Sequence, residues 1–240
     1  MNGLIALVGS GEYLPVMERI DRFLLAHCSA DGRKPRVVCL PTAAGQEGDA
    51  SVNRWVKMGL DHFQGLGADV QAARITQRAE ADDPRYAEML AAADLIYFSG
   101  GNPMYLYRTM QGSQAWAAAE SAWERGAVYA GCSAGAMILA RELPDLRGGT
   151  DRGAAFGKVP ARYILPHFDR MQLLRPVMNP LLKSRLREGE FSLGIDEDTA
   201  LVGRLGGEWK AMGRSKVYVF THQEVQSYSD GEIVPLPAQP

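Results

Sequence analysis

The chain has 240 residues, 46% hydrophobic and 22% charged, with a formal net charge of −2. That composition fits a globular protein with a sizeable core, and it lacks the basic excess of a nucleic-acid-binding face. Its three cysteines, Cys28, Cys39 and Cys132, have no CxxC spacing, which argues against a disulfide framework or zinc site and suits a reducing, cytoplasmic setting. In chain order, MNGLIALVGSGEYLP comes first. It has no basic n-region and its apolar run ends at Val8, so it reads as a strand rather than a signal peptide. No stretch reaches membrane-spanning length.

After this strand, PVMERIDRFLLAHC places Val16, Ile20, Phe23, Leu24 and His27 on one helical face. RVVCLP (36–41) and SVNRWVKMGLDHFQGLG repeat the strand–helix pair, the closing glycines suiting a helix end. ADVQAARI follows, then a helix around 84–92, DLIYFSGG, a helical stretch over 103–125 broken near Gly112, and AVYAGCSAG. Near-continuous apolar strands joined by helices predict an α/β fold, a doubly wound and mostly parallel sheet with helices on both faces. Beyond Gly194, the short runs TALVGRL, EWKAMG, KVYVF and EIVPLP predict antiparallel C-terminal strands that close the same sheet. No linker or repeat is visible, so one domain over 1–240 is expected. The stretch 145–160, DLRGGTDRGAAFGKVP, carries four glycines and predicts a surface loop and candidate lid.

Gly131-Cys132-Ser133-Ala134-Gly135 matches the nucleophile elbow G-x-S-x-G, with an apolar strand entering and a helix-forming run leaving. The centre of such a turn projects above the carboxyl end of the sheet, and small neighbours allow close approach. Ser133 therefore holds the exposed position, and Cys132 points back into the packing.

A serine hydroxyl needs an imidazole to take its proton and an acid to fix that ring. Of the four histidines, His27 and His62 lie in amphipathic helices and His222 near a late turn. His167 ends the short strand RYILPH, at the sheet end where α/β sites gather, and is the candidate base. The run GIDEDTALV offers Asp196, Glu197 and Asp198 as the acid, and spacing does not separate them. An oxyanion hole requires two backbone N–H groups. Ala134 at a helix start and Gly101 in the YFSGGNP turn are the candidates. GSGEYL begins like a dinucleotide-binding loop but has Leu14 in place of the third glycine and no ribose-binding acid about 20 residues on. That loop is expected to border the site, with Glu12 near it. The histidines also lack metal-ligand spacing, so neither a cofactor nor a metal is expected.

Taken together, LIALVGSGE, LPTAAGQ, the GGN turn, G-C-S-A-G-A, P-H-F and G-I-D-E-D-T-A-L resemble the serine peptidases that contain aspartyl dipeptidase (peptidase E) and cyanophycinase. The resemblance implies a class I glutamine amidotransferase-like fold and a Ser–His–Glu triad of Ser133, His167 and Glu197. Related amidotransferases carry cysteine at the elbow centre, so serine at 133 favours the peptidase branch. Known members act on aspartate-containing dipeptides or on the β-linked Asp–Arg polymer. The resemblance thus implies a small peptide substrate, with Asn102 and Arg170 as substrate-binding residues and Arg175 as a weaker basic candidate. The arginine pattern of cyanophycinase after its H-F is thinner here, where MQLL intervenes, which favours a dipeptide over the polymer. A non-catalytic binding module of the same fold is the alternative, and a homodimer is the default assembly.

Overall fold

The computed structural model describes residues 2–28, 32–144 and 153–237. Its elements run β1 (Ile5–Val8), α1 (Glu18–Ala26), β2 (Arg36–Leu40), α2 (Asp49–Gly65), β3 (Asp69–Ala72), α3 (Pro84–Ala91) and β4 (Leu95–Phe98). Next come α4 (Pro103–Met110), α5 (Gln114–Glu124), β5 (Val128–Cys132), α6 (Ala134–Met137), β6 (Ile164–Leu165), a 3-10 segment (Phe168–Leu174) and α7 (Arg175–Ser184). The chain closes with β7 (Ser192–Ile195), β8 (Thr199–Gly203), β9 (Trp209–Gly213), β10 (Val217–Phe220) and β11 (Val225–Tyr228).

Strands β3-β2-β4-β5-β1 pair in parallel, and β8 and β9 extend that sheet in antiparallel fashion. Successive side chains of a strand face opposite ways, and the burial shows both faces covered. Ile5, Leu7, Val38, Leu40, Ile96 and Phe98 pack with Leu90, Leu106, Met110 and Trp116 from α3, α4 and α5. Their neighbours Ala6, Val8, Val37, Cys39, Leu95 and Tyr97 pack with Ile20 and Leu24 of α1 and Phe63 of α2. This is the expected doubly wound α/β architecture. Helix starts follow their sequence signals. Asp83 and Asn102 each precede a proline at the first helical position and accept from the Arg85 and Tyr105 N–H groups, and Ser113 Oγ accepts from Trp116 N–H. The break near Gly112 separates α4 from α5 as the sequence suggests.

The C-terminal strands depart from expectation. Only β8 and β9 join the large sheet; β10 and β11 form a second sheet of order β11-β10-β7-β6. Short alternating runs fix which face of a strand is apolar but not which strand it pairs with. The run EIVPLP is not a strand: it makes one isolated bridge, Lys210 to Ile233, and Pro235 and Pro237 have no N–H to continue a ladder. Helix α7 ends at Ser184, so residues 185–190 lie beyond it. Within the predicted loop, residues 145–152 lie outside the described residues. The rest is anchored: Phe156 stacks on Trp116 with ring centroids 3.6 Å apart, and Val159 is buried.

Candidate active site

Strand β5 ends at Cys132, and the next residue, Ser133, takes φ 49° and ψ −107° before α6 begins at Ala134. The elbow glycines answer to close packing. A Cβ on Gly131 would lie 2.3 Å from Gly135 O, and one on Gly135 would lie 2.5 Å from Phe98 O. Helix α6 therefore rests directly on the β4–β5 strands, which lifts Ser133 at the sheet's carboxyl end. Ser133 is half-buried, its N–H donates to Val8 O at 2.9 Å, and its side chain does not cap α6. Its hydroxyl is left for other partners.

His167 reaches it through strand register. Parallel pairing of β6 with β7 sets Leu165 opposite Gly194, so two residues further on His167 stands beside Asp196 and Glu197. Phe168, fully buried, packs its ring against the bare Gly194 backbone and so anchors the chain immediately after His167. His167 itself has φ 51°. Its Nε2 lies 3.1 Å from Ser133 Oγ and its Nδ1 lies 2.8 Å from Glu197 Oε1.

The three neighbouring carboxylates are sorted by environment. Asp196 is buried and accepts from Ser215 Oγ at 2.6 Å and Lys216 N–H at 3.2 Å. Asp198 turns through φ 55° towards Arg214, 3.5 Å away. Glu197 faces the imidazole, and its own N–H donates to Asp169 Oδ1 at 3.0 Å. The Arg170 guanidinium, then the His167 ring, hold the Glu197 carboxyl below the usual glutamate range.

Arg170 lies within the site. Its Nε donates to Glu197 Oε2 at 2.8 Å, so one edge of the guanidinium braces the acid. Asn102 is spent largely on structure: Oδ1 caps α4 through Tyr105 N–H at 3.1 Å, and Nδ2 donates to Gln46 at 3.3 Å. Gly101 has φ 140°, and a Cβ there would lie 2.4 Å from Ala43 O, so this turn admits only glycine. The N–H groups on either side of it are engaged, Gly100 with Glu12 Oε1 and Asn102 with Ala43 O, each at 2.8 Å. Ala134 opens α6, where N–H groups lack intrahelical acceptors. The Arg175 side chain lies outside the described residues.

Of the other histidines, His62 is a buried partner of Asp21 (2.8 Å), and His27 caps α1 with Nδ1 2.7 Å from Phe23 O. Cys132 is fully buried, as expected, but its thiol has a polar partner in Glu12. Asp169 and the full role of Glu12 were not read from sequence; the only signal was the G-S-G-E loop after β1.

With this geometry in hand, the relatives fall into line. Residues 4–206 match the model of peptidase family S51, and the chain belongs to that family, which makes it a hydrolase of the serine peptidase class. A crystal structure of a peptidase from an acI-B1 Actinobacterium superposes with a TM-score of 0.87 at 34% identity, covering 98% of this chain and 97% of the other. A peptidase E protein from Listeria monocytogenes EGD-e shares the fold at TM-score 0.64 and 19% identity, over 90% of this chain and 100% of the other. The cyanophycinase of Synechococcus elongatus is 23% identical over 239 residues, which is 95% of this chain and 70% of that protein. That of Geminocystis herdmanii is 21% identical over 244 residues, 97% of this chain and 85% of that protein. The fold is class I glutamine amidotransferase-like. Among the described residues no helix is long and apolar enough to cross a membrane.

Proposed function

We propose that this peptidase cleaves small aspartate-containing peptides, dipeptides foremost, through a Ser133–His167–Glu197 triad and an acyl-enzyme. The observation that carries the reading is the pair of contacts made by one imidazole, 3.1 Å to the Ser133 hydroxyl and 2.8 Å to the Glu197 carboxylate. In this reading His167 Nδ1–H donates to Glu197, which leaves Nε2 to accept the Ser133 proton as Oγ attacks the scissile carbonyl. The N–H groups of Ala134 and Gly101 receive the developing oxyanion. The imidazolium then protonates the leaving amine, and a water deprotonated by the same ring releases the acid product.

The aspartyl preference rests on the peptidase E and cyanophycinase relatives and on cationic chemistry at the rim. A guanidinium has five N–H donors. Arg170, bound to Glu197 through one edge and 74% exposed at its side chain, keeps others for a substrate carboxylate. Asn102, exposed beside Gly101, supplies a further polar wall.

The test is a dipeptide panel in which Asp-Xaa is compared with Asn-Xaa for wild type and Ser133→Ala. Faster cleavage of Asp-Xaa, abolished in the variant, is expected. Equal rates for the two would remove the aspartyl assignment and leave the peptidase; undiminished cleavage by Ser133→Ala would remove the triad.

A further inference from the structure

Beneath the elbow lies a carboxylate that the triad does not use. Glu12 follows β1 in the G-S-G-E loop, where Gly11 and Tyr13 on either side of it take φ 89° and 64°. This doubled left-handed bend turns Glu12 back under the strand ends, where the residue is only 7% exposed. Burying a carboxylate is costly unless its oxygens are bonded, and here both are. Oε1 accepts the Gly100 N–H at 2.8 Å, and Oε2 accepts the Cys132 thiol at 2.9 Å.

The two partners matter by position. Gly100 immediately precedes Gly101, and Cys132 immediately precedes Ser133 and stands two residues before Ala134. The two backbone segments that offer N–H groups to an oxyanion, and the nucleophile itself, thus hang from the two oxygens of one side chain. The strands involved are β4 and β5, and Glu12 comes from the loop after β1, the strand beside β5. Closeness is tight: a Cβ on Gly100 would stand 2.8 Å from Glu12 Oε1 and 3.3 Å from Ser133 Cβ. On its far side the same turn is pinned by Asn102 N–H to Ala43 O.

We propose that Glu12 is a positioning residue of the peptidase: its carboxylate sets the distance between the Gly100-Gly101 turn and the Ser133 elbow, and so the span of the oxyanion site. This rests on the triad reading above. The same bond keeps Cys132 a bound thiol donor rather than a second nucleophile beside Ser133. Donor placement is felt mainly in the transition state, because a misplacement of about 1 Å costs about 100-fold in rate.

The experiment is inactivation by a fluorophosphonate, which requires both an activated serine and an oxyanion site, with kinact and KI measured separately. Glu12→Ala is expected to lower kinact about 100-fold with KI changed by less than about 3-fold. Glu12→Gln keeps an amide oxygen for Gly100 N–H and is expected to recover to within about 5-fold of wild type. A wild-type kinact in Glu12→Ala, a loss confined to KI, or a Gln variant as slow as the Ala variant would each overturn the proposal. If Glu12→Ala does not fold by near-UV circular dichroism, Cys132→Ala decides. It releases one of the two anchors and is expected to lower kinact about 10-fold, whereas an unchanged value refutes the tie. Wild-type protein that never labels would bring down the triad reading and this inference together; wild type that labels alongside a fully active Glu12→Ala brings down this inference alone.

Discussion

Ser133 and His167 meet across 3.1 Å with both backbones in the left-handed region, at φ 49° and 51°. Neither is glycine, so each position is strained by about 1–3 kcal/mol, held in place by the packing of α6 on β4 and of Phe168 on Gly194. The two strained residues are those that bring hydroxyl and imidazole together. Ser133→Gly and Ser133→Ala should both be inactive, but the glycine variant should be more stable by about 1 kcal/mol in urea unfolding, because only it relaxes the bend. Equal stabilities would mean that the elbow stores no strain.

Arg170 should matter to the acid more than to binding. Its guanidinium is the leading cause of the lowered Glu197 pKa, ahead of His167. A carboxylate with a depressed folded-state pKa stabilises the fold above the unfolded value, about 4.3 for glutamate, and that contribution fades as pH falls through the folded value. Wild type should therefore be more stable than Arg170→Gln at pH 7, with the gap closing as pH is lowered below about 4. Carbon-13 NMR of the Glu197 carboxyl should show its titration midpoint rising in the variant. A midpoint that does not move would show that Arg170 leaves Glu197 alone.

The thiols should be silent in the native protein. Burial pushes Cys28 and Cys39 up to about 12, and burial followed by the neighbouring Glu12 pushes Cys132 well above the ordinary thiol range. Ellman's reagent should find essentially no fast-reacting thiol in the folded chain and all three in guanidinium. Rapid modification of Cys132, with loss of activity, would contradict the hydrogen bond drawn to Glu12.

His62 provides a contrast with His167. It is bonded to Asp21 at 2.8 Å, with side-chain exposures of 6% and 1%. His62→Ala leaves a buried acid unpartnered and should cost about 3 kcal/mol of stability. Fluorophosphonate labelling of the folded variant should stay within about 3-fold of wild type. A labelling rate that collapses with intact folding would place His62 in the catalytic apparatus.

How much of this was legible beforehand varies with the physics involved. Ser133 and the doubly wound layers were readable because local sequence dictates them: small residues at an elbow, and near-continuous apolar strands alternating with helical runs. His167 was readable from its place at a strand end, but Glu197 was separated from Asp196 and Asp198 only through family likeness, because its meeting with His167 depends on the β6–β7 register, a non-local pairing of a two-residue strand. The second sheet was missed for the same reason. Its strands look in sequence like further members of the first, and only β10 pairing with β7 separates them. Arg170 and Asn102 were found as residues, but their structural contacts were not. Both have intramolecular partners, Glu197 and the start of α4, that composition and spacing do not reveal.

Catalysis in this peptidase turns on which hydroxyl is activated. The most direct measurement is mass-spectrometric mapping of a fluorophosphonate adduct on wild type, Ser133→Ala and His167→Ala. A single adduct on Ser133, absent from the first variant and slowed at least about 1000-fold in the second, is the predicted result. An adduct elsewhere, or undiminished labelling without the imidazole, would contradict it.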